Sequence, residues 1–569
     1  MDMSHPPLAE SPTLKAAREA NGTAPKLGRE IALAINPVIE LGVEVYRIVD
    51  ESIAVLAKPE AGVYVRAGKL VRVVRDVDTP GVERAAGALS IRPLCPASLL
   101  DLLTRHGRWG QFDARSDKIV AKQPPKEVIA GVLARGSWPG VRPLVGVLDT
   151  PALRPDGSIL QTNGYDEVTG YLLELSSGWP RDILIPDAPT LEDAQAAAVE
   201  LLAVVKDFPF ATPAHAVAWL AGLLTLFARP AIDGCCPLIA IDATTPRTGK
   251  GRLIDTMVNI ATGRDASKTT LPKDEEEFRK RITALILEGE LITVLDNVKG
   301  MLNSATLDGC LTSTRWKDRL LGVTGMIEAE NRLVWAVTVN NLQFGADTAH
   351  RSLYMRLESK LEHPEARTDF EHPRLLAWVR ANRPRLVYLA LLILRAHAVA
   401  GRPRCGAAVM GGFEPWSEIV PSAVAWCTGL DPQSTRVGLV ELGDQTTGTL
   451  GPLLAGLERL GGPKTARGIL GALYPAPATQ DGYEDLRTAI EELCPASTTK
   501  GGAPAAKSFG QALRRLRGRV QGGLHLDATP VSGTLWWRVA GASASPATPE
   551  APTEPFDEEE AQGAFDGLV

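Results

Sequence analysis

Apolar residues recur along this chain in two rhythms, short continuous runs and runs spaced to line one face of a helix. Leu238 to Ile241 is an apolar run of strand length. The loop Thr244 to Gly249 follows, and then Leu253, Ile254, Met257 and Val258 repeat at i, i+1, i+4 and i+5, which predicts an amphipathic helix. Leu291 to Leu295 is a second such run and ends in Asp296-Asn297. Leu333 to Val339 is a third and ends in Asn340-Asn341. Strands separated by helical stretches predict a parallel α/β sheet. Leu191 to Lys206 and Ala214 to Phe227 read as helices leading into the first strand. Pro373 to Ala400 reads as a long helix with a break at Pro384, and Trp416 to Cys427 as another, ended by Gly429 and Asp431-Pro432.

The flanks differ in texture. Residues 1–28 are rich in Pro, Ala, Ser and charge, and disorder is expected. From residue 29 to 185 the pattern predicts a small α+β domain, a collar or a DNA-binding domain. Its Val63 to Val74 stretch reads as a β-hairpin turning at Ala67-Gly68, and Leu99 to Leu103 and Glu127 to Leu133 as short helices. No carboxylate triad marks it as a primase. The central domain is assigned to 186–400 and a helical lid or linker to 401–480. Residues 481–540 read as an amphipathic helix (Tyr483 to Leu493), a connector, a basic helix (Lys507 to Arg519) and two strands around Leu524 to Leu526 and Leu535 to Val539. That is the outline of a winged helix. Residues 541–569 carry acids and no base, and are expected to be disordered and able to compete for the basic helix.

Composition narrows the classes. At 569 residues the chain has room for several domains at roughly 150 residues each. Apolar residues make up 45%, enough for sizeable cores. The net charge is −6, so any nucleic-acid surface must be local. The 7 cysteines form no C-x-x-C pair and are expected as small buried residues in a reducing compartment, with no zinc site and a cytoplasmic location. No apolar run of about 18 residues is evident, so no membrane span is expected.

The loop before the first helix carries the chemistry. A strand, a tight loop with Gly-Lys and a helix form the setting of a phosphate-binding loop, where backbone N–H groups and the helix N-terminus hold an anion. Thr245, Pro246, Arg247, Thr248, Gly249, Lys250, Gly251 and Arg252 are the expected nucleotide-binding residues, with Lys250 reaching the β/γ-phosphates. The pattern G-x-x-x-x-G-K-[ST] is imperfect, because Thr244 replaces the first Gly and Gly251 replaces the hydroxyl that binds Mg²⁺. An ordinary βα turn is the alternative. For the basic helix, Arg514, Arg515, Arg517 and Arg519 are the expected DNA contacts, and a solvated face is the alternative.

The succession Lys250, Asp296, Asn340, then Arg351 and Arg356 resembles an AAA+ ATPase core with its Walker A, Walker B, sensor and arginine-finger positions. More narrowly, residues 237–435 resemble the helicase half of phage- and mobile-element-encoded primase–helicases, related to superfamily III and MCM-like helicases. The stretches Lys273 to Ile282, Leu295 to Gly300, Leu311 to Gly322 and Trp416 to Val420 carry that resemblance. It implies ATP and Mg²⁺ as cofactors, with Asp296 as the metal ligand. It implies Asn297 in the place of the water-orienting Glu, Asn340 or Asn341 as sensor, and Arg351 and Arg356 as fingers acting across a homo-oligomeric ring, a hexamer. Leu321 to Arg332 would be a pore hairpin, with Lys317, Arg319 and Arg332 contacting single-stranded or forked DNA. A primase or other replication proteins would be further partners, and no membrane is implied. The function expected is an ATP-dependent DNA helicase or translocase. The alternatives are an ATPase switch, loader or defence protein, and a nucleotide-dependent origin-binding protein.

Overall fold

The computed structural model describes residues 37–75, 88–176, 179–180, 184–244, 247–272, 274–298, 301–319, 325–340, 343–344, 346–359, 367–436, 445–474, 482–494, 503–518, 520–521, 523–531 and 534–541. The expected disordered ends therefore lie outside the described residues, apart from Gly541.

A parallel sheet organises the centre. Its strands are β1 (Leu238–Ala243), β2 (Lys268–Thr269), β3 (Ile292–Val298), β4 (Val334–Asn340) and β5 (Ser352–Leu357), in the spatial order β2-β3-β4-β1-β5. Every neighbouring pair is parallel. The strands read as unbroken apolar runs because both faces are covered. Alternate residues go to opposite sides. Ile239, Ile241, Val294, Ala336 and Leu353 join one core with helices α1 (Leu191–Ala203), α2 (Pro213–Ala228), α3 (Lys250–Thr262), α7 (Leu375–Val399) and α8 (Glu414–Thr428). Leu238, Ala240, Leu295, Val337 and Tyr354 join the other with α4 (Glu275–Glu288) and α5 (Ala305–Thr312). A short helix, α6 (Ala346–His350), precedes β5.

Several local expectations change in context. The break expected at Pro384 does not occur, and α7 runs unbroken through it. Proline forfeits one helical hydrogen bond, but the buried run Leu386 to Leu394 holds the helix against α1 and α3. Pro213–Ala231 does have the length and hydropathy of a membrane span, contrary to the expectation that no such run exists; 94% of its apolar window is buried in the core. Cys235 and Cys236 pack beside β1, where burial pushes the Cys235 thiol up to about 11. Cys95 and Cys405 depart from the expected burial and are exposed.

The segment 401–480, expected as a lid, divides. α8 belongs to the sheet's own core, whereas α9 (Gln445–Leu460) and α10 (Ala466–Leu473) share a core with the C-terminal elements α11 (Glu484–Leu493), α12 (Ala506–Leu516), β7 (Leu524–Val531) and β8 (Thr534–Gly541). A short strand, β6 (Lys464–Thr465), pairs antiparallel with β8, and β8 pairs with β7. The C-terminal core thus starts near Leu450 rather than at 481, because the apolar faces of α9 and α10 are buried on α11 and α12.

The N-terminal region folds as small sheets and helices around a core of its own. Its hairpin turns at Ala67 and Gly68 as expected, both at positive φ, which matches the twist of a two-residue turn. Buried bonds fix this region to the centre: Arg66 donates to the Ile286 carbonyl at 2.7 Å, and Thr150 to the Ala261 carbonyl at 2.5 Å.

Candidate active site

The carboxyl ends of the five strands share one edge of the sheet, the edge where ligands bind in open α/β folds. The chain leaves β1 at Ala243 and re-enters helix at Lys250. Gly249 precedes α3 at φ +96°, and a Cβ there would come within 3.1 Å of the Phe208 ring, so both backbone and space call for glycine. Arg247 also takes positive φ. Thr245 and Pro246 lie outside the described residues. Thr248 is buried, Arg252 exposed and Gly251 half-buried, with Lys268 the nearest described side chain to a Cβ built there.

Lys250 is half-buried at the first position of α3. Its ammonium donates to Asn340 Oδ1 at 2.5 Å, a bond from helix to the end of β4. Burial pulls its pKa below the usual lysine value, and the Asp242 and Asp296 carboxylates oppose that pull. A partly desolvated cation beside a helix N-terminus is a strong anion site.

Asp296 stands at the end of the adjacent strand. Thr338 donates to its Oδ1 at 2.6 Å and accepts from the Asn297 N–H at 3.0 Å. Thr338 thus fixes both the carboxylate and the turn after it. Asn297 has φ +53°, and the β3–β4 register shifts between Leu295 and Val298, so the strand bulges there. Asn tolerates this left-handed conformation better than most residues. Asn297→Ala is therefore expected to lower stability by about 1 kcal/mol, with Asn297→Gly close to neutral, read from urea unfolding midpoints. Equal stability for the alanine and glycine variants would deny the strain.

The two arginines occupy opposite edges. Arg356 lies on β5 in register with Asp242, near the Lys250 edge of its own chain. Its guanidinium donates to Glu358 at 2.6 Å and lies 3.8 Å from Asp242, which also accepts from Tyr354 at 2.9 Å. The Arg356 N–H donates to His215 Nδ1 at 3.2 Å; burial lowers that imidazole to about 4 and keeps it neutral. Arg351 comes just before β5, at the opposite edge, about 20 Å away at ~3.3 Å per strand residue. It donates to the Asp308 carbonyl at 3.1 Å and pairs with Asp308 at 3.7 Å and Asp347 at 3.6 Å.

Between β3 and β4, strands Arg315–Arg319 and Met326–Glu330 form an antiparallel hairpin. Trp316 and Asp318 face inward, bonded to Thr283 and Arg279 of α4. Lys317 and Arg319 face outward and are exposed. Arg332 is not an outward cation; it donates to the Ile232 carbonyl at 2.8 Å and pairs with Glu330 at 3.4 Å.

In the C-terminal unit, Arg467 of α10 and Lys507 and Arg514 of α12 line a groove of about 630 Å³ with Gln511, Thr465 and Thr534. Among the described residues that line it, none is acidic. Arg517, by contrast, donates to the Ala528 carbonyl at 3.0 Å and lies 3.5 Å from Asp527. Arg519, Asn341 and the Arg515 side chain are outside what is described.

Sequence reasoning passed over Thr338, Asp242 and Arg467. A lone polar residue within the apolar runs of β4 and β1 was the available signal for the first two. Arg467 gave none, since its helix was assigned elsewhere.

The fold and site define a multidomain α/β chain with a central parallel sheet whose one edge gathers Lys250, Asp296 and Asn340. No protein-family model matches the chain, and no curated protein matches it. Among solved structures, the apo C-terminal region of NrS-1 is similar at 11% identity and TM-score 0.38, covering 83% of this chain and 96% of that one. A second apo structure of that region, 305–718, aligns at 13% identity and TM-score 0.35, covering 78% of this chain and 100% of that one. JCV helicase aligns at 16% identity and TM-score 0.22, covering 40% and 67%. Scores this low define no fold, and the reading below rests on the chain's own residues.

Proposed function

We propose that this chain is an ATP-dependent DNA helicase or translocase that works as a ring, in replication of a phage, plasmid or integrative element. The observation that carries the reading is Lys250, half-buried at the N-terminus of α3, bonded to Asn340 and flanked by Asp296 at the carboxyl edge of a parallel sheet. Lys250 and the loop amides hold the β/γ-phosphates. Asn340 joins the lysine to β4 and so senses the terminal phosphate. Asn297 orients water by hydrogen bonding and cannot take its proton, while Thr338 positions the Asp296 carboxylate. Magnesium is commonly held by one or two carboxylates plus substrate phosphates, so Asp296 fits it, with one protein oxygen fewer because residue 251 is glycine. The ion would neutralise phosphate charge.

Arg351 supports the ring. It stands at the edge away from its own Lys250, where it meets a neighbouring subunit's nucleotide in a cyclic assembly. Arg356 is assigned to the nucleotide of its own chain. DNA would be held by Lys317 and Arg319 on the hairpin and by the basic groove of a winged-helix-like unit, whose β6-β8-β7 pairing beside α10 and α12 matches that outline. Replacing Arg467, Lys507 and Arg514 together by alanine is expected to weaken DNA binding and flatten the slope of log K against log salt by about 2 to 3, at 0.7–0.9 per phosphate contact. An unchanged slope would mean these cations are only solvated.

Gly251 and Asn297 favour a second reading, an ATPase switch or loader with little unwinding. Displacement of the labelled strand from a forked duplex separates the two. ATP-dependent displacement supports the helicase; DNA-stimulated hydrolysis without displacement supports the switch.

A further inference from the structure

Gly251 leaves a gap on the first turn of α3, and Lys268 reaches into it. Among the described residues outside the first turn of its own helix, Lys268 Nζ alone would lie within 4 Å of a Cβ built at residue 251, at 3.9 Å. In a loop with a hydroxyl at this position, the Cβ stands roughly 3 Å from the metal, given a metal–oxygen contact of about 2.1 Å. The Lys268 ammonium is thus nearly as close to residue 251 as a bound cation would be. Lys268 is the first residue of β2 and pairs with Val294, two residues before Asp296 on the neighbouring β3. Its one hydrogen bond among the described residues goes to Asp255 Oδ2, at 2.9 Å. Asp255 lies one turn further along α3, its side chain 15% exposed, and its buried Oδ1 has no hydrogen-bond partner among the described residues. The carboxylate therefore holds the ammonium at the helix start while leaving N–H donors over for an anion. A Cβ at residue 251 would already stand at ordinary contact distance from this ammonium, and glycine leaves the space between them free.

We propose that Lys268 is a second phosphate-binding cation of the nucleotide site, standing on the side from which a residue-251 hydroxyl would otherwise help to hold the metal ion. Its ligand is the phosphate chain of a nucleoside di- or triphosphate. This rests on the nucleotide-site reading above. The consequence is that nucleotide affinity depends less on Mg²⁺ than a single-lysine loop would allow, and that Asp255 is the positioning residue for the second cation.

The test is a titration of the full chain with a fluorescent ADP analogue, in EDTA and in Mg²⁺. Wild type is expected to bind in EDTA within about tenfold of its Mg²⁺ affinity. Lys268→Met is expected to lose about tenfold or more in EDTA, the size of a hydrogen bond to a charged group, and less in Mg²⁺. Adding Gly251→Thr to Lys268→Met should restore affinity only when Mg²⁺ is present. Equal binding of wild type and Lys268→Met in EDTA would overturn the proposal. Lys250→Ala in the same titration keeps the two levels apart. If Lys250→Ala binds normally, the nucleotide site itself is wrong; if it fails while Lys268→Met binds normally, only the second cation is wrong. Should Lys268→Met not fold, Asp255→Asn keeps the lysine and loosens its tether, and is expected to alter affinity in EDTA more than in Mg²⁺. The same affinity as wild type in both conditions would count against the role.

Discussion

Lys250→Ala is expected to abolish ATP hydrolysis and weaken nucleotide binding. The side chain is the cation at the start of α3, half-desolvated and bonded to Asn340, with Asp296 and Asp242 near enough to act on its charge. Removing one preorganised donor at a site of developing charge costs about 10²–10³ in rate, and here the donor is a full charge. Folding is expected to survive, because the variant gives up one hydrogen bond and relieves a desolvated ammonium. Turnover at the wild-type rate would remove the phosphate-loop assignment, and with it the reading of Asn340 as sensor.

Arg351→Ala is expected to leave nucleotide binding intact and cost a factor of about 10³ or more in turnover, the range of arginine fingers. Its tie to Asp347 is exposed, but Asp308 is buried and loses its cationic partner, so stability should fall by about 1–3 kcal/mol. Asp296→Ala is expected to be inactive as well. The two lesions sit at opposite edges of one sheet, so Asp296 acts on its own chain's nucleotide and Arg351 on a neighbouring subunit's. Mixing the two inactive proteins should therefore return part of the activity, at interfaces that pair an intact Asp296 with an intact Arg351. Mixed rings that form and stay at background would rule out Arg351 acting in trans, and would move the role to Arg356, which already pairs with Asp242.

The sheet was legible because buried strands are apolar on both faces, and Leu238 to Ile241, Leu291 to Leu295 and Leu333 to Val339 all became strands. So was the α3 face, whose Leu253, Ile254, Met257 and Val258 are all buried. The hairpin turn at Ala67-Gly68 and the Gly429 cap followed from residues that accept positive φ. What stayed hidden depended on partners distant in sequence. Pro384 marks a helix end by local rules, but the packing of α7 on α1 and α3 overrides it. The Asn297 bulge depends on the Thr338 hydroxyl one strand away. Arg332 looked like a surface cation until its carbonyl partner at Ile232 was in view. The groove of Arg467, Lys507 and Arg514 joins two helices separated by another, and no local periodicity announces it.

ATP hydrolysis by the wild-type chain, followed with and without single-stranded DNA beside Lys250→Ala, tests the central claim most directly. The expected result is hydrolysis that DNA stimulates and that the variant lacks. A chain that neither binds nor hydrolyses ATP, or whose hydrolysis survives the loss of Lys250, would contradict it.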